Sequence, residues 1–126
     1  MNDIRTMIQT ELDRIATVDS GVPTPDSMVE EGVTYFGYEL EERFVTQDLD
    51  NRNFMQVILT GRIVRRKSSS ENTLAIVDAA LEKIKEALKN LNIDYSYRDV
   101  SQFTDGFQKI AVEGSTYYYE KNKDLI

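Results

Sequence analysis

Ser68-Ser-Ser-Glu-Asn-Thr-Leu-Ala-Ile-Val-Asp-Ala-Ala-Leu-Glu-Lys-Ile-Lys-Glu-Ala-Leu-Lys-Asn-Leu-Asn92 is the stretch that decides the fold. Leu74, Val77, Leu81, Ile84, Leu88 and Leu91 recur at alternating gaps of three and four, which places all six on one stripe of an α-helix. Ala80 and Ala87 flank the stripe, and Asp78, Glu82, Lys83, Lys85, Glu86 and Lys89 occupy the opposite, solvated face. Glu82 can meet Lys85 and Glu86 can meet Lys89, pairs worth a few tenths of a kcal/mol each. Ser68 and Glu71 fit a Ser-x-x-Glu capping box, and Asn92 suits the stop. The spacing therefore predicts a helix of roughly 20 residues, about 30 Å long. So regular a stripe also fits a coiled-coil seam. It lasts under four heptads and strand-like segments flank it, so one helix lying across a sheet is the expected arrangement.

Upstream, Ile4, Ile8, Leu12 and Ile15, with Met7 beside them, predict a first helix capped by Asn2 or Asp3 and ending near Val18. Pro23 and Pro25 exclude helix from the loop that follows. From Gly32 the period becomes two. A strand is expected from Val33 to Val45, with Gly37 marking a bend, then turn residues Asp48 to Asn53. The next strand, Phe54 to Val64, carries Met55, Val57, Leu59, Gly61 and Ile63 on the face expected to meet the long helix. Beyond the helix, Ile93 to Phe103 and Phe107 to Glu113 predict a second hairpin around Thr104-Asp105-Gly106. Gly114-Ser115 is expected to kink the chain, after which Tyr117-Tyr118-Tyr119 continues extended or forms a last short edge strand, and residues 121–126 form a frayed tail. The fold class is α+β: a mainly antiparallel sheet of two hairpins, one long amphipathic helix on one face and an N-terminal helix, in a single domain of residues 1–126.

Composition limits function. The 126 residues include no Cys and no His, which excludes disulfides, thiolate chemistry and Ser-His-Asp or Cys-His catalysis. Fifteen Lys+Arg against 22 Asp+Glu give a net charge of −7, which disfavours direct nucleic-acid binding. No run reaches the ~18 apolar residues a membrane span needs, and the N-terminus lacks the layout of a signal peptide, so an intracellular chain with no membrane partner is expected.

Three surface features remain. Residues 26–50 hold eight acids against the single base Arg43, with Glu39 and Glu41 on one strand face and Glu42 on the other. Two such carboxylates could hold Ca²⁺ or Mg²⁺ or act as an acid/base pair, but no Asp-x-Asp loop with glycine accompanies them. The expected role is a solvated edge that discourages aggregation, or a subunit contact. Arg62, Arg65, Arg66 and Lys67 form a basic run that fits a solvated strand end, a docking patch for an acidic partner or a phosphate backbone, or a contact with the acidic edge of a neighbouring copy. The seven tyrosines all fall on expected strands, and the run containing Tyr117 and Tyr119 must point side chains both ways, as an interface would.

The order of an N-terminal helix, a Pro-containing loop, a long hairpin, one central amphipathic helix and a tyrosine-ended hairpin resembles the tail-terminator (tail-completion) proteins of long-tailed bacteriophages, from about Ile4 to Tyr119. The likeness is one of layout and size and carries no short diagnostic motif. It implies a non-enzymatic virion subunit without cofactor or metal, in phages or prophages and made in the host bacterial cytoplasm. It further implies a hexameric ring that ends the tail tube and meets the head connector. The contacts expected to build that ring fall on Glu39, Glu41, Glu42, Arg43, Arg62, Arg65, Arg66, Lys67, Tyr117 and Tyr119. Other head–tail joining or minor capsid roles are alternatives, as is a ferredoxin-like small-ligand or regulatory domain.

Overall fold

The computed structural model describes residues 4–14, 29–103 and 106–121. The element order is α1 (Ile4–Asp13), β1 (Tyr35–Gln47), β2 (Arg52–Arg66), α2 (Thr73–Asn90), β3 (Asp94–Asp99), a 3₁₀ turn (Ser101–Phe103) and β4 (Phe107–Lys121). The four strands form one antiparallel sheet in the order β1-β2-β4-β3. The chain leaves β2, crosses one face as α2, and returns through β3, so that β4 inserts between β2 and β3.

The helix stripe is buried within this chain. Val77, Ile84 and Leu88 are fully enclosed and Leu81 nearly so, against Val57, Leu59 and Ile63 of β2 and Ile110 and Val112 of β4. The odd-numbered face of β2 thus meets α2, as the alternation predicts. Leu74 departs from expectation, at 48% exposure. At about 100° per residue Leu74 lies at one margin of the stripe, and Thr73 takes the inward place in that turn.

The ends of α2 divide similarly. The expected Ser68–Glu71 capping box does not form. Asn72 is the N-cap, its Oδ1 accepting from the Ala75 amide at 3.2 Å. It stands directly before the first helical residue, while the Glu71 carboxylate takes the stronger guanidinium partner Arg65. The C-terminal stop is as read. Asn92 adopts a left-handed φ of 57°, and the amides of Asn92 and Ile93 close back on the carbonyls of Lys89 and Leu88. These are the two bonds of a Schellman end.

α1 lies on the same face as α2, with Ile8 and Leu12 in the shared core. The Tyr38 hydroxyl of β1 donates to Asp13 Oδ1 at 2.7 Å, bolting the end of α1 to the sheet. The α1 helix ends at Asp13 rather than near Val18. The expected caps Asn2 and Asp3, residues 15–28 with their prolines, the turn residues Thr104 and Asp105, and the tail 122–126 lie outside the described residues.

Several strand boundaries differ from the reading. The strand expected from Ile93 to Phe103 is β3, Asp94–Asp99 only; the Asp99 carboxylate accepts from the Ser101 amide and the chain turns into the 3₁₀ segment Ser101–Phe103. Gly37 does not break β1; the register slips between Phe44 and Thr46 instead. Both long strands run past their expected limits, β1 to Gln47 and β2 from Arg52 to Arg66. Asp48 shapes the turn between them, its carboxylate accepting from the amides of Asp50 and Arg52. β4 continues through Gly114-Ser115 without a kink and includes Lys121. Gly114 is needed for closeness: a Cβ there would sit 2.9 Å from Ile93 Cγ2 and 3.2 Å from Asp94 O, where the chain comes off α2. Among the described residues no helix is long and apolar enough to cross a membrane.

Candidate interaction surface

The helices cover one face of the sheet and stop short of one end. From Glu41 to Gln47 every residue of β1 is exposed, so the paired ends of β1, β2 and β4 project past α2 as a three-stranded ribbon. On the face away from the helices, strand register sorts side chains into transverse rows. Arg62 lies beside Ala111, which pairs with Arg98, giving a cationic row. Next come Glu39, Thr60, Glu113 and Ser96, then Glu41, Ile58, Ser115 and Asp94, giving an anionic belt of two rows with two carboxylates in each. A shallow recess of about 460 Å³ opens over this belt around Ile58, Thr60 and Ser115. Among the described residues no three acidic groups converge to hold a metal ion.

The ribbon end is aromatic. Phe54 stacks on Tyr117 with ring centroids 5.2 Å apart and planes 5° from parallel, and tilts against Tyr119 at 5.0 Å. The Arg52 guanidinium lies 4.6 Å over the Tyr119 ring, and Gln56 Nε2 donates to the Tyr117 hydroxyl at 3.2 Å. These partners hold the rings in place while Tyr117 and Tyr119 stay 52% and 54% exposed. Phe44, at 61%, and Leu49 at the hairpin tip are also open. Aromatic area already fixed in one rotamer is well suited to contact, because little side-chain entropy remains to be lost on binding.

The basic run does not make one patch. Arg65 is buried on the helix side. Its Nε and Nη2 donate to both carboxylate oxygens of Glu71, at 2.9 and 2.8 Å, and Nη1 donates to Thr34 Oγ1 at 2.9 Å. That bidentate pair raises the Arg65 pKa and holds the Glu71 carboxyl below its ordinary range, the hydrogen bonds being the largest cause in each case. Arg66 points the other way, donating to the Val29 carbonyl and covering the Phe107 ring. Arg62 lies mid-sheet on the open face, and Lys67 is exposed beyond the end of β2. Strand alternation thus spreads the four cations over different surroundings, and Arg65 serves the join between β2 and the start of α2.

The acidic residues stay outside. Glu39 and Glu41 lie on the open face, with Arg43 Nε 3.3 Å from Glu41 Oε1, and Glu42 is exposed on the helix side past the end of α2. Sequence reading missed Phe54, Arg52, Glu113 and Asp94 as members of this surface. Their grouping depends on β4 lying against β2, which local pattern does not carry. Against known proteins, a scan of family models finds no match, and neither does a search of curated proteins.

Proposed function

We propose that the chain is a structural subunit of a long-tailed phage or prophage particle, of the tail-terminator type. It assembles as a ring, hexameric in that family, at the head-proximal end of the tail tube and joins tail to head. The observation that carries this reading is the bare ribbon: three paired strands projecting beyond the helical layer, with aromatic rings fixed but uncovered. An acidic belt runs across the same sheet face. Such a surface offers broad protein contact and has the rows of opposite charge that set register between subunits. The partners are further copies of the chain, the tube protein and the head connector; no cofactor takes part.

Negative-stain microscopy of the purified chain mixed with tail-tube protein tests the proposal. Rings, and tubes of limited length capped at one end, are the expected result. Tubes that grow unchanged in the presence of a folded, monomeric chain would remove it.

A further inference from the structure

β4 pairs with β2 along its whole length, from Arg52 opposite Lys121 to Arg66 opposite Phe107. On its other side β3 covers it only from Ile110 to Ser115. Among the described residues, positions 116–121 of β4 therefore carry no strand on their outer side. An uncovered edge is a template for another strand, and proteins usually blunt it with charge, proline or a bulge. The opposite edge of the sheet is blunted in that way: β1 has the slip at Phe44/Thr46 and the charges Glu39, Glu41, Glu42 and Arg43. The β4 edge has none of these devices over Thr116-Tyr117-Tyr118-Tyr119, four β-forming residues without charge, glycine or proline.

We propose that this edge pairs two copies of the chain, β4 against β4, antiparallel about a two-fold axis at Tyr118. The run is self-complementary in that register. Tyr117 of each copy falls opposite Tyr119 of the other, and Thr116 opposite Glu120. Tyr117 and Tyr119 share the open face, so the two Phe54-Tyr117-Tyr119 clusters merge into one aromatic surface across the join. A slip of one residue sets open-face rings against helix-side residues, and a slip of two takes one tyrosine out of the match. A two-fold contact uses the same edge on both copies and leaves neither uncovered. It lies across the sheet from the acidic β1 edge and holds whether or not the chain caps a tail.

The absence of cysteine makes the test direct. Y117C and Y119C chains are mixed and oxidised gently. A Y117C–Y119C disulfide-linked dimer is expected to dominate, with little linkage in either variant alone or in V45C, which probes the β1 edge. Without oxidant, Y117K should weaken dimerisation by roughly tenfold or more by light scattering, since two symmetric aromatic pairs are lost. Circular dichroism confirms that each variant is folded. Folded variants without the mixed linkage overturn the pairing, as does V45C linking with equal yield. Assemblies larger than a dimer that Y117K leaves intact also sink the pairing while leaving the terminator reading standing.

Discussion

Tyr38 joins two layers through one oxygen. Its ring is 1% exposed in the core, stacked near Phe36, while its hydroxyl reaches Asp13 at the end of α1. Burial first, then the hydrogen bond and charge of Asp13, raise its pKa above the ordinary value of 10. A raised folded-state pKa means the stabilisation is complete below pH 10 and is lost as pH climbs toward the folded value. Urea titrations should therefore show stability declining above pH 10, and Tyr38→Phe should make that decline shallower. At neutral pH the same variant should cost about 1 kcal/mol. Gly61 is a second single-residue constraint: a Cβ there would lie 2.8 Å from Phe36 Cε1 and 3.0 Å from the Gly37 carbonyl oxygen. Gly61→Ala should lower stability by roughly 1–3 kcal/mol, measured by thermal melts and urea titration, because a rigid ring and backbone must both move.

At the scale of elements, α2 gives the sharpest contrast. Ile84→Ala should cost about 2–5 kcal/mol, as a cavity opens against β2 and β4, whereas Leu74→Ala should stay within about 0.5 kcal/mol. Sequence periodicity alone ranks these two positions together, so the pair separates burial from pattern. The join between β2 and α2 has its own pH signature. Glu71 is held below its usual pKa of 4.5 by Arg65, so its contribution is present above that pH and falls away as pH drops toward the lower folded value. Glu71→Gln should flatten the acid limb of the stability profile between pH 5 and the onset of acid unfolding. The succession of strands and helices along the chain was legible because periods of two and 3.6 alternate along it; the order of the strands within the sheet was not. The cap was not, since Ser68-x-x-Glu71 and Asn72 compete within five residues and the choice rests on where Arg65 reaches. The same alternation that turned Ile63 inward also turned Arg65 inward, so the dispersal of the basic run was readable. Adjacency in sequence hid it.

For the molecule as a whole, the division is between a covered half and a bare one. Tyr117 and Tyr119 stood out as a tyrosine run, and the acidic hairpin stood out by charge. Phe54 and Arg52 did not, because only the pairing of β4 with β2 brings residues more than sixty positions apart into one cluster. If that cluster is a contact surface, replacing Tyr117 and Tyr119 together by serine should change the unfolding midpoint little while abolishing assembly. Light scattering and thermal melts on the same samples separate the two effects.

Hydrogen exchange followed by mass spectrometry, on the chain alone and with tail-tube protein, tests the central claim most directly. In the free chain, diluted until light scattering shows a monomer, α2 and the inner half of β2 should exchange slowly, and the ribbon at 41–47, 52–56 and 116–121 should exchange fast. On assembly, those ribbon segments should gain protection while α2 stays unchanged. Ribbon exchange that stays fast with tube protein present, at every concentration, would contradict the account.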